Sequence, residues 1–316
     1  MLRPDAMLSD NPTSMPVVQP IEGVPTRTDV AFTSKSGVEK RGVRKAAEKA
    51  LRSLSPVLKR FLVPEEFVVY VAGACSPMNG WEQYTFGWFA QFVSRVTLVF
   101  TNMRILAFRV DTKGKWRNSV RGCWLGDVQS AKLSGWLLVK YLELRYANGK
   151  KDRYWAMKLG DKTKLKAILP KLLDSNTGKQ TAAQGMQPLC PTCAAALVEK
   201  QYECNGCGQK FRCEDSLWWR AFIPGAGYFY AKQTGMGILH AVVDTFLTLE
   251  FLLVLIGVFT AKPQERTQDF WIGAGMITFF LLLERAIALM HAQRFVREFI
   301  PIEGTSRMAQ AAGAGR

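Results

Sequence analysis

Two apolar runs in the C-terminal part constrain this chain more than anything else in it: residues 234–259 (TGMGILHAVVDTFLTLEFLLVLIGVF) and 270–291 (FWIGAGMITFFLLLERAIALMH). At ~1.5 Å per residue each is long enough, as a helix, to cross a hydrocarbon core of ~30 Å. A soluble helix needs only one apolar stripe, and these runs are apolar nearly all round. Ala261 to Asp269 joins them, so a two-helix transmembrane hairpin is expected over 234–292, with both chain ends on one side. Trp218 and Trp219 upstream, followed by Tyr228 and Tyr230, supply an aromatic belt of the kind that settles at a bilayer surface. The runs also carry charge: Asp244 and Glu250 in the first, Glu284 and Arg285 in the second. A charged group at mid-helix costs ~2.5–3.5 kcal/mol on insertion scales, which makes these four residues functional candidates. Helical depth sets Asp244 opposite Arg285 and leaves Glu250 facing Phe279, without a basic partner in the hairpin.

The most specific chemical signal lies just before the hairpin. Seven cysteines include Cys190-Pro-Thr-Cys193 and Cys204-Asn-Gly-Cys207, two pairs separated by ten residues. Two such knuckles offer four thiolates, the donor set of a closed tetrahedral Zn²⁺ site, and with every position filled by sulfur the metal is expected to be structural. This looks like a short zinc ribbon over 188–214, with Val198, Tyr202 and Phe211 as its core. The rival reading is redox chemistry, but a thioredoxin-like motif comes singly within a βαβ setting. Cys75, Cys123 and Cys213 read as buried or free thiols. Thiolate metal sites persist in reducing compartments, so the N-terminal region is expected to be cytosolic. The first residues hold no apolar stretch of the length a secretory signal needs, and no cleaved signal is expected.

Upstream the pattern changes again. Residues 1–34, with five prolines among Ser, Thr and Asp, are expected to be disordered. Ser36-Gly-Val-Glu39 reads as a capping box for a basic amphipathic helix over 35–62, bent near Pro56. From 63 to 176 the signals are mostly strands. Val96, Leu98 and Phe100 alternate before a Thr101-Asn102 turn, and Asn148-Gly149 marks a two-residue hairpin. Leu165, Ile168, Leu169 and Leu172 then form one face of a helix behind an Asp161 cap. Residues 177–187 read as a linker, 215–233 as an interfacial segment and 293–316 as a flexible tail.

The residues Pro64-Glu65-Glu66-Phe67-Val68, followed by Leu98-Val-Phe-Thr101-Asn102-Met-Arg104-Ile105-Leu106, resemble bacterial PH-like and GRAM-like domains. That resemblance implies an antiparallel β-barrel closed by a C-terminal helix. The whole is then a multidomain α+β protein of PH-like barrel, small four-cysteine zinc ribbon and transmembrane helical hairpin. It also implies a binding module for lipid or protein. Ile223-Pro224-Gly225-Ala-Gly227-Tyr228-Phe229-Tyr230 is similar to the lead-in of small two-helix membrane domains. Between the first two strands, Trp81, Tyr84 and Trp88 stand in a stretch of six aromatics that either plugs the barrel or touches the bilayer.

Lys and Arg number 42 against 26 Asp and Glu, a formal charge of +16, so an anionic surface is the expected electrostatic partner. The Cys190–Cys213 segment has no basic stripe, which makes nucleic acid the least favoured partner. Two histidines and the absence of nucleotide-binding, zinc-protease or serine-hydrolase motifs argue against an enzyme, and no catalytic residue is expected. The expectation is a non-enzymatic adaptor in a bacterial cytoplasmic membrane. It holds structural Zn²⁺, contacts membrane lipids and an unidentified protein, and is open to homo-oligomerisation. The alternatives are a subunit of an oligomeric channel or transporter, and a membrane-tethered nucleic-acid-binding protein.

Overall fold

The computed structural model describes residues 17–34, 38–87, 90–135, 140–175, 185–260, 262 and 268–305. The chain forms two compact units, Met1–Val198 with Cys204–Gln209 and Ser306–Arg316, and Glu199–Glu203 with Lys210–Thr305.

The first unit opens with a hairpin, β1 (Val18–Ile21) and β2 (Val24–Arg27). Glu22 and Gly23 turn it with φ of 52° and 74°, the positive-φ pair that matches the twist of flanking strands. Helices α1 (Thr28–Ala31) and α2 (Arg41–Phe61) follow. Next come β3 (Val68–Cys75), α3 (Gly80–Phe86), α4 (Ala90–Val93), β4 (Arg95–Thr101), β5 (Arg104–Val110) and β6 (Trp116–Trp124). After β7 (Val128–Ser134), β8 (Tyr141–Tyr146) and β9 (Lys151–Tyr154) the chain forms α5 (Leu159–Asp174) and β10 (Gln187–Leu189). One sheet has the order β1-β2-β3-β4-β5-β6-β10 and a second has β7-β8-β9.

The large sheet is buried on both faces. Leu98, Phe100, Ile105 and Ala107 share a core with Leu142, Leu144 and Tyr146 of the second sheet and with Leu165 and Ile168 of α5. The alternate residues Val99, Leu106 and Phe108 pack with Leu51, Leu54, Leu58 and Phe61 of α2. Side chains alternate across a strand, so two covered faces make β5 buried at every position.

The barrel expected from the sequence is not closed. The outer edges of the β3–β6 meander are already paired, β3 with β2 and β6 with β10. Among the described residues, the backbone of β3 meets the chain after β9 in one antiparallel bridge, between Cys75 and Trp155. The expectation of disorder for 1–34 is also corrected for its described part, 17–34. Val24 and Val30 are buried in the two cores, and the Lys164 ammonium donates to the Val30 and Thr33 carbonyls and, at 2.9 Å, to Thr33 Oγ1. Residues 1–16 and the Ser36 cap lie outside the described residues.

Helix α2 runs through Pro56. The ring removes the N–H that the Arg52 carbonyl would accept, and Ser55 Oγ donates there instead, at 3.3 Å. Its apolar face is used against the sheet, leaving the basic residues outward. Asp161 does not cap α5; Lys158 holds that position, and Asp161 accepts the Tyr70 hydroxyl at 2.8 Å. Residues 147–150 connect β8 and β9 as a four-residue loop with Gly149 at φ 79°, not the two-residue turn expected. The expected linker ends early, because Gln187 already pairs with Gly122.

The second unit contains α6 (Leu217–Arg220), α7 (Ala226–Tyr230), α8 (Thr234–Thr260) and α9 (Gln268–Val296). α8 and α9 are long and apolar enough to cross a membrane. A Cβ on Gly225, which has φ 68°, would lie 2.3 Å from the Gly237 carbonyl oxygen, and a Cβ on Gly237 would lie 2.8 Å from the Phe229 ring. The glycines of the lead-in therefore let α7 lie directly on α8. Residues 299–305 are not a loose tail. Arg212 N donates to Ile300 O at 3.0 Å and Ile302 N to Lys210 O at 2.9 Å, while Phe211 meets Phe299 edge-on at 5.5 Å. Residues 306–316 lie outside the described residues.

Candidate metal centre and polar cluster

The four motif cysteines meet in the first unit, and their sulfurs all lie within 4.8 Å of one another. Two matching knuckles bring them there. Cys190 N donates to Ala195 O at 2.8 Å and Ala194 N to Cys190 O at 2.9 Å; Cys204 N donates to Gln209 O at 2.9 Å and Gly208 N to Cys204 O at 2.8 Å. Both turns close through a left-handed residue, Ala194 at φ 61° and Gly208 at φ 68°. The chain thus uses one turn twice, once with the residue that accepts it freely and once with alanine.

Cys190 Sγ lies 3.6 Å from Cys207 Sγ, and Cys193 Sγ 3.5 Å from Cys204 Sγ. A tetrahedral ion with metal–sulfur bonds of ~2.3 Å needs sulfur separations of ~3.8 Å, so the donor set fits such an ion after small adjustments. All seven cysteines are free thiols. Burial raises the Cys190 thiol, and the backbone N–H groups of Cys193 and Thr192 oppose it. At Cys204 burial is outweighed by the N–H groups of Cys207 and Gly206, and the thiol falls below its ordinary value. The first knuckle is anchored by β10, which ends at Leu189 opposite Val120. The 188–214 segment is divided between the units: Cys204–Gln209 groups with the first, whereas Glu199–Glu203 and Lys210 onward belong to the second. Val198, assigned to the ribbon core, is exposed, whereas Phe211 is buried against Phe299.

In the second unit a stripe on α8 meets α9 through polar groups. Arg285 Nε lies 2.9 Å from Asp244 Oδ1, an ion pair by distance without hydrogen-bond alignment. The same guanidinium donates to Ala221 O at 2.6 Å and to Thr248 Oγ1 at 3.3 Å. One turn before Asp244, His240 Nδ1 is 2.7 Å from Glu284 Oε1. Tyr228 stacks on His240 at 4.4 Å and its hydroxyl is 2.7 Å from His291 Nδ1. Both histidines of the chain are therefore in this cluster. Sequence reasoning named the charges and passed over the histidines, although the spacing His240, Asp244, Thr248 marks one helix face. Glu250 is exposed and stands apart from the cluster.

The expected interface residues separate into three groups. Trp218 and Trp219 are exposed, as are Trp81 and Tyr84, which stack at 5.9 Å on α3. Tyr228 is fully buried, which removes it from the interface, because its hydroxyl has a buried partner in His291. Tyr230 is half-buried under the guanidinium groups of Arg220 at 4.1 Å and Arg212 at 4.8 Å. Trp88 lies outside the described residues. Phe86 is buried and Phe92 exposed, so the aromatic stretch both plugs the unit and faces outward.

Glu66 and the Thr101-Asn102-x-Arg104 motif also converge. Glu66 Oε1 accepts from Thr101 Oγ1 at 2.7 Å and Arg104 Nε at 2.9 Å, and Glu66 Oε2 accepts from Arg104 Nη2 at 2.9 Å. Asn102 Oδ1 accepts from Phe67 N at 2.9 Å. These residues bind one another, tying the start of β3 to the β4–β5 turn. A comparison with known proteins returns no match: no family model, no curated protein and no solved structure matches the chain.

Proposed function

We propose that this chain is a two-pass protein of a bacterial cytoplasmic membrane with both ends cytosolic. Its first unit is a PH-like binding module with a structural Zn²⁺ in the four-cysteine centre, and it engages a lipid or a protein at the membrane face without catalysing a reaction. One observation carries this reading: residues 210 and 212, before α8, are hydrogen-bonded to residues 302 and 300, after α9, so the helix pair leaves and returns on one side. Exposed apolar side chains along α8, such as Phe246, Leu249, Leu253 and Ile256, suit contact with lipid tails. Exposed Trp218, Trp219 and Phe222 suit the headgroup zone. The order of a four-strand meander, three further strands and a C-terminal helix supports the PH-like assignment. Four sulfurs complete a tetrahedron and leave no position for a substrate.

A cysteine placed at Thr267 reacts with a membrane-impermeant thiol reagent in intact cells, and one placed at Gln310 reacts only after lysis. Labelling at 310 alone in intact cells overturns the topology. A second reading, an oligomeric channel or transporter subunit, draws on Glu250, a carboxyl at hydrocarbon depth that faces outward. One hairpin encloses no pore, so copy number in mild detergent separates the readings: one or two copies favour the adaptor, a larger closed ring the channel.

A further inference from the structure

The first unit has a cleft of about 430 Å³ between α2, the β3–β4 edge and the loop after β5. That volume falls within the ~300–1,000 Å³ typical of small-molecule sites. Small residues make the space: Ala46 and Ala50 on α2, Gly73 and Ala74 on β3, and Ala156. Its rim is basic, with Lys49 from α2, Arg95 from β4, Lys113 from the loop and Lys158 at the start of α5.

The single carboxylate in the lining, Asp111, is engaged within its own loop, accepting from Lys113 N and Lys115 N at 2.8 Å each. Ser53 Oγ donates to Gly114 O at 2.7 Å, latching that loop to α2. Arg95 is positioned by its neighbours, with Nε donating to Gln91 O at 3.2 Å and Nη1 to Thr112 O at 3.4 Å. Neither Lys49 nor Lys113 forms an ion pair among the described residues. Four cations against one carboxylate therefore line a small-walled cavity, and the backbone bonds made by Arg95 and by Asp111 neutralise neither.

We propose that this cleft binds a phosphate monoester. Such a group carries ~−1.5 to −2 charge at pH 7 and offers three acceptor oxygens, which suits four cationic donors better than the single charge of a carboxylate or a phosphodiester. The ester is either a lipid headgroup or a free metabolite-sized molecule. The inference deepens the reading of the first unit as a binding module and needs no membrane crossing by the hairpin, so its failure leaves the labelling result untouched.

The test uses the full-length protein in nanodiscs of neutral phosphatidylcholine, titrated calorimetrically with glycerol 3-phosphate and with inorganic phosphate. Saturable binding of the ester is expected, at least about tenfold weaker in Arg95→Gln, which loses a charge-assisted donor. Gly73→Leu abolishes binding. A Cβ at Gly73 meets nothing within 4 Å and the backbone is unstrained, so leucine fills the cleft while thermal unfolding stays as in the wild type. Lys150→Gln removes equal charge on the β8–β9 loop and changes affinity less than about twofold.

Doping the nanodiscs with phosphatidic acid identifies the source. Loss of glycerol 3-phosphate binding assigns the site to a lipid headgroup, and unchanged binding assigns it to a soluble ester. The proposal is overturned by absence of saturable binding, by folded Gly73→Leu binding like the wild type, or by Lys150→Gln weakening binding as much as Arg95→Gln. Preference for an oligonucleotide over the monoester overturns it as well.

Discussion

Glu66 and Arg104 show what a short signature encodes at the scale of the residue. The carboxylate is fully buried and the guanidinium nearly so, and each lies over or against groups that complete its hydrogen bonding, including the Phe61 carbonyl and the Trp124 ring at 5.3 Å. Removing one partner strands a buried charge, which costs about 3–5 kcal/mol, while replacing both by apolar groups is far milder. Arg104→Met is therefore expected to lower the urea midpoint followed by tryptophan fluorescence, and Glu66→Leu with Arg104→Met to regain part of the loss. A double variant no more stable than Arg104→Met alone would refute the account. The letters Glu66 and Thr101-Asn102-x-Arg104 were legible in the sequence, but their mutual contact was not, since nothing local joins positions 38 residues apart. The Asp244–Arg285 pair was legible, because two antiparallel helices of fixed rise impose a register. His240 and His291 escaped because histidine on an apolar run carries no sign of its partner.

Among elements, legibility followed the strength of the local pattern. β4 and β5 alternate or run apolar between clear turns, and both stand where the pattern puts them. β1, β2 and β10 did not register as strands, each being three or four residues long and containing a proline, Pro20, Pro25 or Pro188. Proline removes a ladder donor and so reads as a breaker, yet it is tolerated at sheet margins. These are the strands that occupy the positions where the barrel was expected to close. The α7–α8 crossing yields a prediction of its own. Gly225→Ala forces a side chain at φ 68° into the Gly237 backbone, so the helix pair must separate, whereas a Cβ on Gly235 meets open space. Folded yield in detergent and thermal stability should fall clearly for Gly225→Ala, by about 2 kcal/mol or more, and stay within about 1 kcal/mol for Gly235→Ala. Equal behaviour of the two would show that the close approach does not matter.

For the whole molecule, the division into units was the least legible feature, because a sequence read in order treats 188–214 as one ribbon while the chain assigns its pieces to two bodies. The metal centre carries a prediction at this scale, since β10 reaches the sheet immediately before Cys190. One equivalent of zinc is expected in protein purified with zinc present. Cys190→Ser should lose the metal and speed hydrogen exchange at Val120 and Gly122, where β10 covers β6, as metal binding and local folding are coupled. Cys123→Ala, in the core, should keep the metal. Less than half an equivalent in the wild type would count against the site. The bond between Arg212 and Ile300 also bears on how the protein is made. At ~5–20 residues per second, the 88 residues from 213 to 300 take roughly 4–18 s to emerge, so on each newly synthesised chain the Arg212 N–H waits for its Ile300 acceptor until α8 and α9 have both been made. Completion of the second unit is therefore a late event in synthesis, and a nascent chain stalled before residue 300 leaves the Arg212 N–H without its Ile300 acceptor.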